Sequence, residues 1–95
     1  VSIPGSNPYT IRVYPNPIAS DFTLEYTLNK PVDSYYFITN TVGQIVEEGK
    51  LTAMHSGVNK SQLKLKNSAG SRVFFLTVVF ENKFFVTETL LLKED

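Results

Sequence analysis

Residues 13 to 17 read Val13-Tyr14-Pro15-Asn16-Pro17, and after Ser20-Asp21 the chain alternates strictly as Phe22-Thr23-Leu24-Glu25-Tyr26-Thr27-Leu28. Each proline fixes φ near about −65° and lacks an amide donor, so the first stretch cannot lie inside a central strand. It must join or end strands. Asn16, between the prolines, can bond nearby backbone, which suits a turn. The alternation predicts a half-buried strand with Phe22, Leu24, Tyr26 and Leu28 on one face and Thr23, Glu25 and Thr27 on the other. A rigid bend between two β-runs marks the opening of a sheet domain.

The rest of the chain extends that pattern. A first strand is expected at about Thr10 to Tyr14 and a second at about Asp21 to Leu28. Asn29-Lys30-Pro31 interrupts, and a third strand follows at about Ser34 to Thr39 with Tyr36 and Ile38 on one face. Asn40 to Gly43 forms a turn, because Asn and Gly tolerate the positive φ of a tight hairpin. A fourth strand at Gln44 to Glu48 pairs back, and Gly49 is read as a bulge before Leu51-Thr52-Ala53-Met54. After Ser56-Gly57, Val58, Leu63 and Leu65 are set against Gln62, Lys64 and Lys66, and outward lysines commonly guard a sheet edge. Asn67-Ser68-Ala69-Gly70 turns the chain into two strongly apolar strands, about Arg72 to Phe80 and Lys83 to Leu92, joined by a tight hairpin at Glu81-Asn82-Lys83. Short strands, frequent turns and no helical period predict an all-β fold, a seven-stranded antiparallel β-sandwich of immunoglobulin-like type. Val1 to Pro8 reads as a linker, leaving residues 9–95 as the domain.

Composition narrows the function classes. At 95 residues the chain is one domain. Lys plus Arg and Asp plus Glu are 9 each, so no basic field attracts nucleic acid or anionic lipid. Cysteine is absent, which removes disulfides, thiol catalysis and thiolate metal sites together. The longest apolar run, Val73 to Phe80, is far short of the ~20 residues of a membrane helix, so no membrane insertion is expected. Val1 to Tyr9 carries no signal-peptide pattern, and the chain reads as a piece of something longer.

Chemistry finds little to stand on. His55 is the single histidine and sits in the loop-like Met54-His55-Ser56-Gly57, with no nucleophile motif around any serine. Glu47 and Glu48 are adjacent, so on a strand they face opposite ways and cannot converge on one bond. Asp21 fits a bend better than a catalyst, and no carboxylates cluster at metal-ligand spacing. Tyr35, Tyr36 and Phe37 are consecutive, which separates Tyr36 from its neighbours and leaves one or two outward rings. Asn59-Lys60-Ser61 matches the N-glycosylation pattern, too short a match to carry weight. No catalytic residue, metal site or cofactor is expected.

Tyr14-Pro15-Asn16-Pro17, then Ser20-Asp21-Phe22, Asn40-Thr41-Val42-Gly43-Gln44-Ile45-Val46 and Leu76-Thr77-Val78 occur in a particular order. In that order they resemble the type A C-terminal sorting domain of cargo proteins of the type IX (Por) secretion system of Bacteroidetes. Tyr14, Pro15, Asn16 and Pro17 match the opening motif, Gly43 the hairpin glycine, Phe74 and Leu76 the inward residues of the penultimate strand, and Lys93 the lysine near the end. Two positions depart from the pattern: Ser71-Arg72 separate Gly70 from the penultimate strand, and Thr89 stands before Leu90-Leu91-Leu92 where the family usually has a basic residue.

The resemblance implies a non-catalytic domain that directs an attached cargo through the outer-membrane translocon. A sortase-type surface peptidase then usually removes the domain by cutting in the preceding linker. Translocon, peptidase and the cargo of the same polypeptide are the implied partners. The implied route runs through the periplasm to the cell surface or medium. The candidate recognition surface is Val73, Phe75 and Val79, on the second apolar face of the penultimate strand, with Leu90, Leu91, Leu92 and Lys93. A different class of reading, an uncleaved immunoglobulin-like accessory module of a larger surface enzyme, fits the same composition.

Overall fold

The computed structural model describes residues 9–28, 30–51, 55–65 and 71–93. All regular elements among them are strands: β1 (Thr10–Tyr14), β2 (Asp21–Leu28), β3 (Ser34–Thr39), β4 (Ile45–Leu51), β5 (Gly57–Lys64), β6 (Val73–Phe80) and β7 (Phe84–Leu91). The expected bounds of β1, β2 and β3 hold. The linker 1–8, the stretch Thr52-Ala53-Met54 and the turn Asn67-Ser68-Ala69-Gly70 lie outside the described residues.

Two antiparallel sheets result, one in the order β1-β2-β5 and one in the order β4-β3-β6-β7. They share one apolar core. From the first sheet it takes Phe22, Leu24, Tyr26 and Leu28, the face the alternation selects, and from the second Ile38, Phe74, Leu76, Val78, Phe80 and Leu90. Leu65 belongs to it and Leu63 packs half-buried against it. Exposed Lys60 and Lys64 lie on β5, which is an edge strand.

Several local expectations are corrected. β4 runs on to Leu51, because Gly49, Lys50 and Leu51 keep pairing and Leu51 is buried. The irregularity falls elsewhere than Gly49. Register shifts between Ile38 and Thr39, which pair with Glu47 and Ile45 and so leave Val46 as the extra residue. Gly49 stays in register opposite Tyr36, whose ring covers it so closely that a Cβ there would lie 3.0 Å from Tyr36 Cε1. Val58 does not share a face with Leu63 and Leu65. Five positions separate Val58 from Leu63, an odd number, so Val58 points outward, 51% exposed, and Asn59 takes the inner face.

The turns follow their residue chemistry. Asn40 Oδ1 accepts from the amides of Val42 and Gln44, both at 3.0 Å, and Gly43 supplies φ +87°. In the β6–β7 hairpin, Glu81 and Asn82 take φ of 57° and 56°, the left-handed pair that a type I′ turn uses. The Lys83 amide closes that turn onto Phe80 O at 3.0 Å. Tyr9 opens the described chain against this hairpin, its ring stacked on Phe80 at 4.3 Å and its hydroxyl donating to Glu81 Oε2.

Candidate functional site

Because β6 is flanked by β3 and β7, its odd-numbered residues form rows across the outer face of the four-stranded sheet. One row is Tyr35, Val79 and Phe85; the next is Phe37, Thr77 and Thr87, with the two threonine hydroxyls 3.0 Å apart; the third is Thr39, Phe75 and Thr89; and Val73 lies beside Leu91. Tyr35, Phe85 and Leu91 are exposed, whereas Phe37, Phe75 and Val73 are half-buried. Rings brought from three strands thus make one apolar face, broader than the one or two rings expected from Tyr35-Tyr36-Phe37 alone. Tyr36 points to the inner side.

Two members of the expected recognition surface are not on the surface. Val79 and Leu90 are each 0% exposed. Val79 is walled in by Tyr35 and Phe85 on the flanking strands, while Leu90 falls on the core side of β7 and packs inward. Leu91 and Lys93 are exposed, and Leu92 is half-buried against the core. Phe74 and Leu76 are core residues, 1% and 0% exposed, and Gly43 shapes the β3–β4 turn.

The opening bend and the chain end meet at one corner. Both Tyr14-Pro15 and Asn16-Pro17 are cis peptides. The Asn16 side-chain amide donates to Thr89 O at 3.3 Å and accepts from the Leu91 amide at 3.2 Å. Ile18 follows, its amide donating to Leu91 O at 2.6 Å and its carbonyl accepting from the Lys93 amide at 2.5 Å. The residues form a parallel bridge, Ile18 to Leu92. A cavity of about 330 Å³ lined by Ala19, Ser20, Leu92 and Lys93 lies beside it. Tyr14 is held from the other side: its hydroxyl donates to Glu25 Oε1 at 3.1 Å and the Arg12 guanidinium lies 5.7 Å from its ring centre. Sequence reasoning missed Ile18, which is 0% exposed; its signal was to be the one large apolar residue between Pro17 and Phe22.

The groups weighed for catalysis stand apart. His55 is exposed, with Nδ1 3.0 Å from Ser56 O, and Glu47 and Glu48 pair opposite Ile38 and Phe37, on opposite faces of β4. Among the described residues no three His, Asp or Glu side chains are grouped to hold a metal ion, and no helix is long and apolar enough to cross a membrane. Asn59 is 3% exposed and its Nδ2 donates to His55 O and Gly57 O, so the glycosylation pattern marks a buried structural amide. Burial pushes the Tyr9 phenol up to about 12, helped by its hydrogen bond to Glu81 and that carboxylate's charge. Burial, then the Glu47 charge, also raises Tyr36. Tyr36 also lines an open pocket with Tyr35, Glu48, Gly49 and Lys50.

An all-β domain whose Pro-Asn-Pro bend is tied to its C-terminal strand can be matched against known families. Residues 12–93 match the family described as secretion system C-terminal sorting domain. The chain belongs to that family, the sorting domains of type IX secretion. No individual curated protein matches it. As a sorting domain it serves type IX secretion of an attached cargo, which places that cargo among secreted or cell-surface proteins. The matched span runs from Arg12 in β1 to Lys93, and so includes both halves of the corner where bend and chain end meet.

Proposed function

We propose that the chain is a non-catalytic signal that carries its cargo across the outer membrane through the type IX translocon. The translocon reads the outer face of the four-stranded sheet together with the corner at Leu91 to Lys93. The family match over residues 12–93 carries this reading. Its surface half is supported by the row of Tyr35 and Phe85 over buried Val79, since a monomer seldom exposes a broad apolar face without a partner. The strand order β1-β2-β5 and β4-β3-β6-β7 supports an immunoglobulin-like sandwich. Tyr9, anchored on Phe80 and Glu81, supports a domain starting at residue 9, with the sortase-type peptidase cutting before it in the linker 1–8. The cargo passes through the periplasm and ends at the cell surface or in the medium. No cofactor, nucleic acid or membrane insertion enters the mechanism.

The test fuses residues 1–95 to the C-terminus of a periplasmic reporter in a bacterium with a type IX system, and follows the reporter's location and mass. The expected result is export, with a mass that lacks the domain. Reporter held in the periplasm behind a folded domain would refute the sorting role and favour the uncleaved accessory module. Export at full mass would keep the sorting role and refute removal.

A further inference from the structure

In a parallel β-ladder, one residue donates to the carbonyl of partner i−1 and accepts from the amide of partner i+1. Ile18 does this around Leu92, with Leu91 O and the Lys93 amide. Two residues upstream, Asn16 makes the same pair of bonds around Leu90, to Thr89 O and from the Leu91 amide, with its side chain instead of its backbone. The register is continuous: 16 with 90, then 18 with 92. In this register the positions that face β7 are 16 and 18, and at 16 the side-chain amide meets Thr89 O where a ladder would use the backbone amide. A primary amide carries the same donor and acceptor as a peptide group.

We propose that Asn16 is a positioning residue of the sorting signal. Its side chain extends the parallel ladder of Ile18 along the edge of β7 that faces away from β6, and so fixes Thr89 to Lys93 in the geometry a partner reads. The opening bend and the chain end are then one recognition element, built from two ends of the sequence. Leu91 and Lys93 are exposed within the clasped segment, while Leu90 anchors it in the core. This rests on the sorting role proposed above, and its test is separable from that role.

Backbone amide exchange and export of the reporter fusion are measured together for wild type, Asn16→Ala, Asn16→Asp and Asn40→Ala. In Asn16→Ala, exchange at Leu91 should rise at least about fivefold, the size expected for losing one or two ordinary hydrogen bonds. The amides of Phe74 and Leu76 should keep their protection, and export should fall. Asn16→Asp, which turns the donor facing Thr89 O into an acceptor, should fall in the same direction. Asn40→Ala removes a comparable side-chain acceptor of two backbone amides in the β3–β4 turn and should export as wild type does.

Unchanged Leu91 exchange in Asn16→Ala would overturn the clasp. So would raised exchange with undiminished export, or an equal export loss in Asn40→Ala. Protection lost throughout the core would make Asn16 a general scaffold residue and overturn the proposal as well. A wild-type fusion that never leaves the periplasm would instead overturn the sorting role, and the clasp's part in it falls with that role.

Discussion

Tyr9 shows how one side chain can fasten a segment to a hairpin 72 positions away. Its ring stacks on Phe80 and meets Phe84 at 5.4 Å, and its hydroxyl donates to Glu81, so the chain is locked onto the β6–β7 hairpin at its first described residue. The phenol is stable there only while protonated. Its pKa moves from 10.0 to about 12, chiefly because burial disfavours the phenolate, so folding is linked to pH. Below 10.0 folded and unfolded chains both hold the proton, and the full contribution of Tyr9 is present. Between 10.0 and about 12 only the unfolded chain loses it, so stability drains as pH rises. Urea midpoints across this range should fall more steeply for wild type than for Tyr9→Phe. Parallel declines would show that Tyr9 does not carry the linkage.

At the scale of the strand, faces decide energies. Phe74, at 1% exposure, points into the core, and Phe74→Ala should cost about 3–5 kcal/mol. Thr23, on the outer face of β2, shares an exposed hydrogen bond with Gln62 at 3.0 Å, and Thr23→Ala should change stability by no more than ~0.5 kcal/mol. Urea unfolding checks both, and equal midpoints would mean the faces are assigned wrongly. The face of β2 was legible because polar and apolar residues alternate without a break from Phe22 to Leu28. β6 was legible as a strand but not as a surface, since both its faces are apolar and periodicity cannot say that Val79 lies beneath Tyr35 and Phe85. β5 misled, because Val58 is apolar yet falls out of phase with Leu63. Gly49 misled as well: a glycine reads as a bulge, while here it makes room for the Tyr36 ring across the pair.

At the scale of the whole molecule, distant segments converge in ways that local pattern cannot announce. The motif Tyr14 to Pro17 was visible as a bend, but its contact with Thr89 and Leu91 spans 73 to 75 positions of sequence and depends on β1 running beside β7. The outer face likewise assembles from β3, β6 and β7. Its exposed members lie outside the core but Tyr35 and Phe85 cover Val79, so Tyr35→Thr, Phe85→Thr and Leu91→Thr should each cost about 1 kcal/mol, less than a core truncation such as Phe74→Ala, and leave the domain folded. The most direct measurement is the exported fraction of the reporter fusion carrying all three substitutions, beside wild type, with both urea midpoints determined. A folded surface read by the translocon predicts that export collapses while the triple variant still unfolds cooperatively, with a midpoint lowered but well inside the folded range. Full export by the triple variant would contradict it and place the signal away from this face.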